Sequence, residues 1–249
     1  MPRANKELAE SFKISSSVFT PSDKVTRFIT TTSPHGQNVQ FSELKCRFPK
    51  PNDDKDREEK EKENKNKQKV LLYPAIDSSN HDMKDFIQTL NEKLITTAAD
   101  NYKTWFPVDY QNMVENNVAD EDNIKWTVEQ KIKSCLKFTC EKDDKGLPIQ
   151  DKPTDKYYFV FNLPIYDDKF AFPVVDNDGK PYEYDSVNDL ENTFMTFIMK
   201  VKTIWLNKEN IAACFMGYMF HPQKVRVVPN SMGEKGYEGS SIEEMVNMS

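Results

Sequence analysis

The residues whose types and spacing could carry chemistry fall into three groups: neighbouring carboxylates, paired cysteines, and lysines interleaved with aromatic rings. Asp143-Asp144 and Asp167-Asp168 are adjacent acids, whereas a two-metal hydrolase needs several carboxylates converging on one point. Both pairs lie beside turn-forming residues, and solvated turns account for them. Cys135 and Cys140 would need two further zinc ligands, and neither Cys46 nor Cys214 has a paired partner nearby. In Asp176-Asn177-Asp178-Gly179 the glycine comes too early for a calcium loop and no closing glutamate sits at the required spacing, so the stretch reads as a hairpin turn. The expectation is a protein that is not an enzyme, with no catalytic residue, no metal and no cofactor.

The third group is the informative one. Within a chain of net charge −6, residues 124–142 carry five Lys against two Glu, and residues 195–228 carry five Lys or Arg against one Glu. Between residues 71 and 123, by contrast, ten acids face three lysines. Trp126, Tyr157, Tyr158, Tyr182, Tyr184, Trp205 and Phe215 are interleaved with the basic stretches. Cations beside rings are what neutralising a sugar-phosphate backbone and stacking unpaired bases require. The candidate phosphate contacts are Lys131, Lys133, Lys137, Lys200, Lys202, Lys224 and Arg226, and the candidate stackers are Trp126, Tyr157, Tyr158 and Phe215. Taken singly, strand lysines also serve as solubility devices and strand aromatics as core.

Composition narrows the remaining classes. Three of the 7 glycines (Gly233, Gly236, Gly239) fall near the end of the 249 residues, which leaves too few for a phosphate-cradling loop. Three scattered histidines, His35, His81 and His221, argue against triads and His-rich metal sites. No stretch approaches the roughly 20 apolar residues of a membrane span, and Met1 to Glu10 lacks a signal core, so a soluble, non-secreted protein is expected. Four cysteines are too few for a disulfide framework.

The elements that must position these residues follow from periodicity. Lys24 to Thr31 and Asn38 to Phe41 flank a turn at Ser33-Pro34-His35-Gly36 and predict a hairpin. Residues 50–69 hold eight basic and seven acidic residues with no apolar one, which predicts a disordered insertion. Val70 to Ile76 reads as a strand. Phe86, Ile87, Leu90, Leu94, Ile95 and Ala98 recur at three and four and predict a long helix. A shorter helix follows Pro107, with Val108, Met113 and Val114 expected inward. From Trp126 the period changes to two, so Gln130 to Cys140 reads as a half-buried strand with Lys131, Lys133 and Lys137 on its polar face.

Further strands are expected at Tyr157 to Leu163, Lys169 to Val175, Lys180 to Tyr184, Thr193 to Leu206, Ile211 to Phe220 and Val225 to Val228, with a helical turn capped by Ser186. On Thr193 to Leu206, Met195, Phe197, Met199, Val201 and Trp205 share one face and Lys200 and Lys202 the other. Closely spaced strands of this kind argue for a barrel or sandwich. Residues 229–249 are glycine-bearing and acidic and read as a flexible tail.

From about Val70 to Val228 the chain resembles the OB-fold single-stranded-DNA-binding proteins of large eukaryotic (nucleocytoplasmic) DNA viruses, which are distantly similar to the replicative single-strand binders of short-tailed phages. The likeness lies in the helix of Phe86, Leu90 and Leu94 leading to Asn101 and Trp105-Phe106, and in Lys137-Phe138. It continues through Phe159-Val160-Phe161-Asn162-Leu163-Pro164, Asp178-Gly179, Ile204-Trp205 and Lys224-Val225-Arg226-Val227. The resemblance implies an α+β protein built on an OB-like five-stranded antiparallel β-barrel with a helical layer and an extra N-terminal hairpin. Residues 1–49 would pack on the barrel, 50–69 form the insertion, 70–228 the binding core and 229–249 the tail. It further implies sequence-independent binding of single-stranded DNA in viral replication, recombination or repair. Localisation would be the host-cell cytoplasm at viral replication sites, or the nucleus. Replication proteins would be partners through the acidic tail, with no membrane partner and room for a homo-oligomer. The rival readings are a viral structural or interaction protein with a β-sandwich domain, and a magnesium-dependent nuclease.

Overall fold

The computed structural model describes residues 1–20, 27–48, 67–74, 80–143, 148–207 and 215–228. The insertion expected at 50–69 lies outside these residues through Asn66, and its last three residues, Lys67 to Lys69, are strand and not disordered; the acidic tail lies wholly outside them. The chain divides into two compact units that alternate in sequence. The first comprises Met1–Gln40, Ser79–Ser134 and Met199–His221, and the second Phe41–Ser78, Cys135–Ile198 and Pro222–Ser249.

The fold is α+β. Its strands are β1 (Lys13–Phe19), β2 (Arg27–Thr32), β3 (Asn38–Arg47), β4 (Lys67–Pro74), β5 (Leu136–Lys142), β6 (Pro148–Tyr166), β7 (Lys169–Phe170), β8 (Val174–Val175), β9 (Phe194–Leu206) and β10 (Met216–Val227). The hydrogen-bonded order is β1-β2-β9-β3-β4-β6-β5, with β10 branching onto β8 and β9 and β7 onto β6. This mostly antiparallel sheet has two ends, at β1 and β5, and does not close as a five-stranded barrel would. Among the described residues no helix is long and apolar enough to cross a membrane.

In the first unit, α1 (Lys6–Ser11) starts at Asn5, whose side-chain oxygen accepts from Leu8 N at 2.8 Å. The helix expected from the three-four spacing is α2 (Asn80–Asp100), which buries Met83, Phe86, Ile87, Leu90, Leu94 and Ala98. Leu94 and Ala98 join Ile29, Tyr102, Trp105, Phe106, Val128, Ile204, Leu206 and Met216 in one core cluster. Each large side chain fully removed from water contributes roughly 1.5 to 3 kcal/mol. Two polar groups at the edge of this cluster are paired: Trp105 Nε1 donates to Ser16 O at 2.9 Å, and Tyr218 Oη donates to Leu90 O at 2.9 Å. Arg27 donates to Trp105 O at 2.6 Å and lies 5.9 Å from the Phe106 ring centroid.

Four expectations are corrected here. The strands on either side of Ser33-Pro34-His35-Gly36 are not hairpin partners, because β9 lies between β2 and β3. Val201 of β9 is held from both sides of that turn: its N–H donates to Gln37 O at 2.8 Å, and its carbonyl accepts from Thr31 Oγ1 at 2.9 Å. Gln130 to Cys140 is not one strand. Asp120 caps a helix by accepting from Asn123 N at 2.9 Å, Glu121 and Asp122 complement its N-terminus, and Ile124 and Val128 face inward one turn apart. That helix, α5 (Glu121–Lys131), therefore runs through Lys131, and β5 begins at Leu136.

The helix after Pro107, α4 (Pro107–Glu115), follows the single turn α3 (Tyr102–Trp105) and packs through Tyr110 and Met113, leaving Val108 and Val114 exposed. Finally, the segments around His221-Pro222 form one strand, β10, and not two.

In the second unit β4 is antiparallel to both β3 and β6, and β5 is antiparallel to β6. Alternation sends Leu44, Cys46, Val70, Leu72, Phe159, Phe161 and Leu163 to a buried face, where Phe41 meets Phe159 and Phe161 edge-on at 6.0 Å. The Cys46 thiol in this layer is pushed well up in pKa, by burial first and the Glu191 charge second, and acts as a small hydrophobe. The turn expected at Asp176 is present: Gly179 takes φ +82, its N–H donates to Asp176 O at 3.1 Å, and Asp176 N donates to Lys180 O at 2.9 Å. The strands expected around it are not: Lys169 to Val175 is broken into β7 and β8, and Lys180 to Tyr184 contributes only the Pro181 bridge to Val175. The turn capped by Ser186 is a 3-10 turn, Val187–Leu190, with Asp189 closing a capping box.

Leu94→Ala is expected to cost about 2 to 5 kcal/mol of unfolding free energy in denaturant titration. Val108→Ser, at a position the periodicity alone placed inside, should change it by less than about 0.5 kcal/mol.

Candidate functional site

The strand register of the second unit assembles a row that crosses four strands. Lys45 on β3 is opposite Tyr73 on β4, and Tyr158 on β6 is opposite Lys137 on β5. Between them, Tyr73 and Tyr158 stack with ring centroids 5.3 Å apart and planes 24° from parallel. The result is a Lys–Tyr–Tyr–Lys row, with both rings half-buried and Lys137 exposed. Period-two alternation puts Arg47, two residues from Lys45, and Lys69, four from Tyr73, on the same face.

Electrostatics on this face follow from partial burial. Lys45 is held below the ordinary lysine range, by desolvation first and by the neighbouring Arg47 charge second. The Tyr158 phenol is pushed up, by burial first and Cys140 second, so the ring stays neutral and keeps its hydroxyl proton.

The sequence-predicted residues distribute unevenly. Lys137 and Tyr158 belong to the row. Tyr157 does not share their face: it pairs with Phe138 and meets Phe159 edge-on at 5.7 Å, on the side that carries the core. Lys224 and Arg226 lie on β10, where Arg226 is opposite Val175 of β8, away from the β3-β4-β6-β5 ladder.

The others belong to the first unit. Lys131 is corrected outright: its side chain is 13% exposed, its ammonium contacts Asp109 Oδ2 at 2.5 Å, and the Phe106 ring lies 5.4 Å away. It is a structural cation that ties α5 to α4. Lys133 sits 3.8 Å from the Phe215 ring centroid, and its backbone N–H donates to Met216 O at 2.8 Å. That close approach depends on Gly217, where an added Cβ would stand 2.7 Å from Lys133 O. Lys200 is half-buried and Lys202 exposed on β9, while Trp126 is 63% exposed on α5.

Sequence reading missed Lys45, Arg47, Lys69 and Tyr73. A signal for the first two was present, since Lys45 and Arg47 alternate with Leu44, Cys46 and Phe48. Among the described residues no group of three or more His, Cys, Asp or Glu could hold a metal ion. No protein-family model, curated protein or solved structure matches the chain.

The lowered Lys45 pKa has a sign that can be measured. Over the alkaline range between its folded value and the ordinary lysine value, the unfolded chain holds a proton that the folded chain has released. This group's contribution to stability therefore rises with pH there. Thermal unfolding of wild type and Lys45→Met across that range should show a stability difference that shifts in favour of wild type as pH increases; a flat difference would contradict the assignment.

Proposed function

We propose that this protein binds single-stranded DNA without reading its sequence, using the Tyr73–Tyr158 pair as a stacking platform and Lys45, Arg47, Lys69 and Lys137 as phosphate contacts. The observation that carries the reading is the stacked pair with a lysine at each end of the same cross-strand row. Rings supply sequence-tolerant affinity because every base has a π-face, and lysines supply affinity that falls with salt. A duplex keeps its bases stacked on each other, so the platform favours unpaired strands. The resemblance of Val70 to Val228 to OB-fold single-strand binders of large DNA viruses supports the same reading and extends it to replication, recombination or repair. In this reading the open sheet is an elaborated relative of the OB barrel and the protein acts without a cofactor.

A second reading, an interaction protein, is favoured by Trp126, which is 63% exposed on a helix whose inward face is Ile124 and Val128. It predicts a defined assembly and no nucleic-acid affinity.

Fluorescence anisotropy with labelled single- and double-stranded oligonucleotides over a salt series, with and without magnesium, tests the proposal. Binding should prefer single strands, weaken linearly in log salt and leave the strand uncleaved. Tyr158→Leu should cost about 1 to 3 kcal/mol of affinity, whereas Lys131→Met should leave affinity unchanged. Equal affinity for duplex, or an unaltered Tyr158→Leu variant, would overturn it.

A further inference from the structure

We infer that the outward face of α5 is a docking site for a partner protein, which seats an arginine side chain over Trp126 between Asp122 and Glu129. These acids lie four residues before the tryptophan and three after it, so helical geometry stacks all three on one face, opposite the inward Ile124 and Val128. Asn123 and Gln130 complete that face at the same spacings, and every side chain on it is exposed.

The fold does not use this ring. Trp105, in the same unit, is fully buried and its Nε1 donates to Ser16 O. Trp126 stays largely in water and, among the described residues, meets no other ring and donates to no protein acceptor. An indole held in water on a helix is the anchor that protein interfaces bury, and tryptophan is enriched among the residues that carry their binding energy. The apolar surface also extends beyond one ring. Of nine large apolar side chains exposed among the described residues, Val108, Val114, Val118 and Trp126 belong to α4, α5 and their connection. The ion pair of Lys131 with Asp109, and the bond from Val118 N to Met113 O at 2.9 Å, tie these elements together.

Charge selects the occupant. Glu115, Asp120, Glu121, Asp122 and Glu129 are all exposed on this stretch, and Lys125, the one exposed cation between residues 107 and 130, projects about 100° round α5 from Trp126. Such a surface repels phosphates and attracts a basic segment. Arginine suits it better than lysine, because a flat guanidinium can lie on the indole face while its edge N–H groups turn to the carboxylates.

The test titrates the full chain into a fluorescein-labelled Arg-Leu repeat peptide and follows anisotropy, with Lys-Leu and Glu-Leu repeats alongside. Wild type should bind the Arg-Leu repeat most tightly and the Glu-Leu repeat not at all. Its tryptophan emission should shift to the blue, since Trp105 is buried, Trp205 half-buried, and Trp126 is the indole that gains cover. Trp126→Gln should lose that shift and about fivefold or more in affinity. Asp122→Asn/Glu129→Gln should lose a similar factor, whereas Asp82→Asn/Glu92→Gln, which removes the same charge from exposed positions on α2, should bind as wild type does. Each variant is checked for an unchanged circular dichroism melt. Equal losses in the two double variants, or an unaltered Trp126→Gln, would overturn the site by reducing the attraction to net charge. Self-association in sedimentation that Trp126→Gln abolishes would overturn the partner's identity in favour of a second copy of this chain. Absence of Arg-Leu binding at low salt would overturn the proposal outright, and would leave the sheet face of the second unit untouched.

Discussion

Every pairing along the β4–β6 ladder, from Lys67 opposite Pro164 to Leu72 opposite Phe159, decides two surfaces at once. On one side it buries Leu72, Phe159 and Phe161 against Phe41; on the other it brings Tyr73 beside Tyr158. A one-residue slip would exchange the faces, exposing phenylalanines and burying lysines, so the hydrophobic layer specifies the register and the register specifies the platform. The candidate site therefore has no dedicated scaffold. It is the reverse side of the core, and substitutions that loosen the phenylalanine layer act on both.

The same economy appears in the first unit, where the cations nearest the core have structural work. Arg27 reaches Trp105 O, and Lys131 meets Asp109 over the Phe106 ring. A basic residue in an otherwise acidic helical layer is a poor indicator of an anionic ligand when a carboxylate lies within one ion-pair distance. Lys137 differs because its strand leaves it exposed beside a ring. Its neighbour across the strand is Tyr158.

That distinction explains how much was legible in the sequence. The α2 helix, the Asp176 turn and the Ser186 cap were readable because spacing and local hydrogen bonds decide them. The change of period at Trp126 misleads because Ile132, Leu136 and Phe138 alternate, whereas the helix through Lys131 is set by the cap at Asp120, six residues before Trp126. Basic and aromatic stretches point to Tyr158 and Lys137 but equally to Tyr157, although adjacent strand residues face opposite ways. Tyr73 and Lys45 could not be joined to them, since only the order β3-β4-β6-β5 brings four distant segments into one row.

The most direct test of this account is photo-crosslinking of a thymidine oligonucleotide to the intact protein, with the adducts mapped to residues by mass spectrometry. The account predicts adducts on Tyr73 and Tyr158 and none on Trp126, despite that residue's greater exposure. Adducts confined to Trp126 or to the Lys133–Phe215 pair, with both tyrosines unmodified, would contradict it.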